Sequence, residues 1–93
     1  MRQDEWVEQT VERIVERLTF WYERGPSVSS ADPDSATIQL KLGEYRKLYI
    51  EVTPGYVEGV IYDKYTGTLE DLAGDTAEKV LRSLEEAEPG LRP

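Results

Sequence analysis

Apolar residues recur along this chain with two different periods, and each change of period marks an element boundary. From Asp4 to Arg24, Val7, Val11, Ile14, Leu18 and Tyr22 follow one another at intervals of three or four. Trp6, Val15 and Trp21 widen them into the stripe of an amphipathic helix over 4–24. Asp4 is placed to cap that helix, with Glu5 and Glu8 set against the positive end of its dipole. Arg24-Gly25-Pro26 supplies a cation, a residue free to turn and a helix breaker. Glu8, Glu12 and Glu16 form one outer row and Arg13 and Arg17 another. Like charges at this spacing weaken an isolated helix by a few tenths of a kcal/mol per pair, so packing must hold it in place.

Three runs then alternate with period two. In 37–43, Ile38, Leu40 and Leu42 alternate with Thr37, Gln39 and Lys41; in 46–53, Leu48, Ile50 and Val52 alternate with Lys47, Tyr49 and Glu51. In 56–63, Val57 and Ile61 point inward with Gly59 between them, which turns Tyr56, Glu58, Val60 and Tyr62 the other way. The connections are too short for a parallel crossover, so the strands form an antiparallel meander. Pro54-Gly55 at the second link is a type II turn signature.

Residues 25–36, with two prolines and four serines, read as an irregular linker. After 63, Asp63 to Thr68 reads as a reversing turn, and Thr68-Leu69-Glu70 as the stub of a fourth strand. A second helix is expected over 75–87, opened by a capping box of Asp75 and Glu78, burying Ala77, Val80, Leu81 and Leu84, and ended by Glu88-Pro89-Gly90. The order α-β-β-β-α thus predicts a single α+β domain: a three-stranded meander, four-stranded with the stub, packed against two helices.

Composition agrees with one packed domain. The chain has 93 residues, 39% of them hydrophobic, and two Trp, six Tyr and one Phe. It contains no cysteine, which excludes disulfides and zinc-thiolate sites and fits a reducing compartment. No apolar run approaches the ~20 residues of a membrane span, and Met1-Arg2-Gln3-Asp4-Glu5 does not resemble a signal peptide. These features predict a cytoplasmic protein that does not engage membranes.

The net charge is −8 and is uneven: residues 68–93 carry seven acids and three bases. Such a field repels nucleic-acid phosphates and favours basic partners. The α-β-β-β-α order resembles the double-stranded-RNA-binding domain, which presents lysines to phosphates at the start of its second helix. Here that stretch is Gly74-Asp75-Thr76-Ala77-Glu78-Lys79, acidic where the family is basic, so direct nucleic-acid binding is not expected.

Reactive side chains are scarce. Without histidine, the usual general base and the Ser-His and Cys-His pairs are unavailable. Ser27, Ser29, Ser30 and Ser35 carry no mark of activation. Asp32 with Asp34, and Glu70 with Asp71, are carboxylate pairs of the sort that chance supplies among 19 acids. Asp32-Pro33-Asp34 lacks the glycine and the closing glutamate of a calcium loop. No enzyme, cofactor or metal site is predicted.

What remains is contact with other macromolecules. Tyr49, Tyr56, Val60 and Tyr62 would stand on the sheet face opposite the core, and tyrosine gives large contact area at small entropy cost. Glu70, Asp71, Asp75, Glu78, Glu85 and Glu86 supply an acidic surface for a basic protein partner. An inhibitor, antitoxin or immunity-type protein docking on such a partner is the first expectation, since carboxylates can replace the phosphates that nucleic-acid enzymes bind. The alternative is an assembly subunit, a homodimer or part of a larger complex, that uses the tyrosine face.

Overall fold

Each strand of the sheet after the first pairs with the strand that precedes it in the chain. The computed structural model describes residues 3–22, 25–30, 32–72 and 74–87. Along them run α1 (Gln3–Trp21), β1 (Ser27–Ser29), β2 (Ala36–Lys41), β3 (Arg46–Thr53), β4 (Tyr56–Asp63), β5 (Thr68–Leu72) and α2 (Ala77–Ala87). The fold is α+β, and the sheet is a five-stranded antiparallel meander in the order β1-β2-β3-β4-β5.

The sheet is therefore larger than the three or four strands that alternation predicts. β1 lies in the expected linker: Ser27-Val28-Ser29 pairs with Gln39, Ile38 and Thr37. Such pairing is made by backbone groups, and with all three residues exposed it leaves no hydrophobic pattern to read. β5 extends the expected stub to Leu72, the only buried residue of that strand.

The core lies on one face of the sheet. In register across β2, β3 and β4, Ile38, Ile50 and Gly59 form one row; Leu40, Leu48 and Ile61 form another; Ala36, Val52 and Val57 form a third. All are buried, and apart from Gly59 they form one cluster with Val7, Ile14 and Leu18 of α1 and Val80, Leu81 and Leu84 of α2. α1 packs on β2 and β3, α2 packs on β4 and β5, and the helices touch each other. Burying a Leu or Ile side chain contributes roughly 1.5–3 kcal/mol, so this one-sided cluster is the main source of stability.

Local chemistry sets the joints. Pro54 holds φ negative, which excludes the hairpin turn that needs two positive φ values; Gly55 takes φ 75° as the second residue of a type II turn. At the other end of the sheet, Asp63 Oδ1 accepts from the Tyr65 and Thr66 amides at 2.9 and 3.1 Å. The Lys64 amide there donates to the Tyr45 carbonyl at 2.6 Å, and the Tyr45 and Tyr65 rings meet with centroids 5.4 Å apart, tying two hairpin tips together.

The start of α2 refines the sequence reading. α1 is helical through Trp21, and the Tyr22 amide still donates to the Leu18 carbonyl at 2.8 Å. The expected last turn at Arg24, and the stop at Glu88-Pro89-Gly90, lie outside the described residues. α2 starts later than Asp75. Thr76 Oγ1 accepts from the Lys79 amide at 3.3 Å, so Thr76 is the N-cap. Asp75 is drawn elsewhere: its carbonyl accepts from the Val57 amide of β4 at 2.9 Å and its carboxylate pairs with Lys79 Nζ at 3.2 Å. A tertiary hydrogen bond to the sheet thus takes Asp75 out of the capping position.

Candidate interaction surface on the open sheet face

With both helices on one side, the other side of the sheet is open among the described residues. Ser30, Pro33 and Ser35 of the linker line a groove with α1, so this part of the linker lies on the helix side as well. Register arranges the open face in rows. Lys41, Lys47, Tyr62 and Leu69 form one; Gln39, Tyr49, Val60 and Asp71 form the next; Thr37, Glu51 and Glu58 follow; Thr53 and Tyr56 close it. Tyr49, Val60 and Tyr62 are half-buried by their neighbours, while Tyr56 is 48% and Leu69 68% exposed. Lys47 Nζ stands 5.3 Å from the Tyr49 ring centroid, a cation held over an aromatic face.

Two of these rows contain like charges directly opposite one another. Lys41 faces Lys47 and Glu51 faces Glu58. Pairs of this kind weaken a sheet. They also polarise the face, with a basic end, an aromatic centre and an acidic end.

The residues singled out from sequence divide between surfaces. Tyr49, Tyr56, Val60, Tyr62 and Asp71 share the open face. Glu70 is exposed on edge strand β5 but points with the core-side set, opposite Ile61. Asp75, Glu78, Glu85 and Glu86 belong to α2 and the turn before it, on the covered side of the sheet. The tyrosines and the acids therefore do not form one site. Leu69 is the member of the open face that sequence reasoning missed. Its signal is weak because Glu70 and Asp71 interrupt the apolar alternation of β5.

The negative charge resides on the helical layer. α1 carries five acids and two bases, and residues 75–87 carry four acids and two bases. The open face has Glu51, Glu58 and Asp71 against Lys41 and Lys47, close to balance. Of the three consecutive aromatics at the end of α1, Phe20 is the exposed one at 67%. Trp21 is half-buried, with the Arg17 guanidinium 5.6 Å from its ring centroid.

A groove of about 860 Å³ runs between the helices and is lined by Arg13, Arg17 and Arg82 against Glu16, Glu78 and Glu85. Its charges balance, and Arg13 is paired with Glu78 at 3.4 Å in full reach of water. Among the described residues no three acids converge on a point that would hold a metal ion. No described helix is long and apolar enough to cross a membrane. In comparison with known proteins, the chain matches no family model, no curated protein and no solved structure.

Proposed function

We propose that the chain is a non-enzymatic protein-binding module whose docking surface is the open sheet face. One observation carries this reading: both helices pack on the same side, leaving Tyr49, Val60, Tyr62 and Leu69 as a continuous aromatic and aliphatic strip without cover among the described residues. Aromatic anchors inside a polar rim are the anatomy of a protein contact surface. Here Lys41, Lys47, Glu51, Glu58 and Asp71 provide the rim. The partner is a protein; the near balance of charge on this face and the acidity of the other disfavour nucleic acid.

A second reading has its own support. The acidic helical layer, with Glu78, Glu85 and Glu86 on α2, suits a basic partner of the kind that an inhibitor, antitoxin or immunity-type protein engages. One experiment separates the two: crosslinked capture from the native cell with the chain as it stands, with Tyr62→Lys and Leu69→Lys together, and with Glu85→Lys and Glu86→Lys together. Loss of the captured protein with the first pair alone supports the open face. Loss with the second pair alone transfers the role to α2.

A further inference from the structure

We infer that the open sheet face pairs with a second copy of this chain, face to face, about a two-fold axis that runs across the strands through the Tyr49–Val60 row. This rests on the open face being the docking surface, and it names the partner. The charge pattern supplies the reason. Lys41 and Lys47 stand together at one end of the face, and Glu51 and Glu58 stand together four residues further along the strands. At ~3.4 Å per residue the two ends are about 14 Å apart. Each end is an unfavourable like-charge pair within one copy.

A two-fold contact is self-complementary, with residue i of one copy on residue j of the other and the reverse. An axis across the strands turns the second copy over and reverses its strand direction. The basic end of one copy then lies over the acidic end of its partner, so that Lys47 meets Glu51 twice, once on each side of the axis. Tyr49 and Val60 meet their own counterparts at the centre. An axis along the strands would instead lay the basic end of one copy over the basic end of the other and the acidic end over the acidic end, so charge selects the first arrangement. Asp71 faces its own counterpart at the β5 edge, where solvent screens the repulsion.

Size sets the strength. Four strands ~4.8 Å apart, over about seven residues of ~3.4 Å, give a footprint of roughly 450 Å² per copy. For the two copies together that is about 900 Å², below the ~1,200 Å² at which stable complexes begin and within the range of weak, transient contacts, so the association is weak.

Sedimentation equilibrium on the full chain tests this with Lys47→Glu, Glu51→Lys, their equimolar mixture and the double exchange K47E/E51K. Circular dichroism checks that each variant is folded. The native chain is expected to dimerise at low salt and to weaken severalfold at high salt. Each single variant places like charges across the axis and is expected to associate at least tenfold more weakly. The mixture and the double exchange restore opposite charges at both contacts and are expected to recover native association. A native chain that stays monomeric near millimolar concentration overturns the self-pairing while leaving the docking reading to the capture experiment. A dimer indifferent to both single variants, or a mixture that recovers nothing, overturns the geometry.

Discussion

Val80 of α2 sits directly above Gly59 of β4: a Cβ added at Gly59 would stand 2.8 Å from Val80 Cγ1 and 2.9 Å from Leu72 Cδ1. Both neighbours are themselves buried, so neither side chain is free to swing away. The missing side chain is what lets α2 approach the sheet. Gly59→Ala is expected to destabilise the fold by about 1–3 kcal/mol through overpacking. Thermal unfolding reads this as a fall in Tm of roughly 5–20 °C. Adding Val80→Ala in the same chain should make the two losses less than additive, because the second change opens the space that the first one needs.

Core and surface apolar residues should separate cleanly. Ile50 and Leu84 are fully buried between sheet and helices, whereas Phe20 is largely exposed. Truncation of Ile50 or Leu84 to alanine is expected to cost about 2–5 kcal/mol in urea unfolding. Phe20→Ala is expected to stay within about 0.5 kcal/mol of the native chain.

The position of the α2 cap is open to a direct check. Thr76→Ala removes the acceptor for the Lys79 amide and should cost about 0.5–2 kcal/mol. Asp75→Ala removes only a solvent-exposed ion pair with Lys79, since the Asp75 carbonyl keeps its bond to the Val57 amide. Its cost is expected to be below about 1 kcal/mol. Equilibrium unfolding of the two variants side by side distinguishes them, and a larger loss at Asp75 would return the cap to that residue.

The facing lysines make a prediction of the opposite sign. Lys41→Glu converts the Lys41–Lys47 pair into an attractive one and should stabilise the monomer by about 0.2–1 kcal/mol. The gain should shrink as salt is added, because both groups reach water. Thermal melts at low protein concentration, with and without salt, measure it.

Period-two alternation made β3 and β4 legible in sequence, and period 3.6 did the same for the cores of both helices. Each of those elements buries one side of itself and so leaves a pattern. β1 and β5 are edge strands held by backbone pairing on one side, and with one buried residue between them they leave almost none. The start of α2 turned on which of two adjacent polar residues caps, a choice that a distant bond from the Val57 amide to the Asp75 carbonyl settled. For the site, alternation named the tyrosines of the open face and the charges around them. It did not reveal that lysine stands opposite lysine and glutamate opposite glutamate, because register is a property of strand pairs. Nor did it separate the tyrosines from the α2 acids, which took the placement of both helices on one side.

The meander also bears on how quickly this chain reaches its folded state. Since strand neighbours in space are strand neighbours along the backbone, each hairpin closes a short loop and becomes the template for the next. Local pairing of this kind lowers contact order and favours rapid collapse of the sheet. The contacts between α1 and α2 join opposite ends of the chain. Formed directly, that contact closes a far longer loop than any hairpin of the sheet and carries the larger closure entropy.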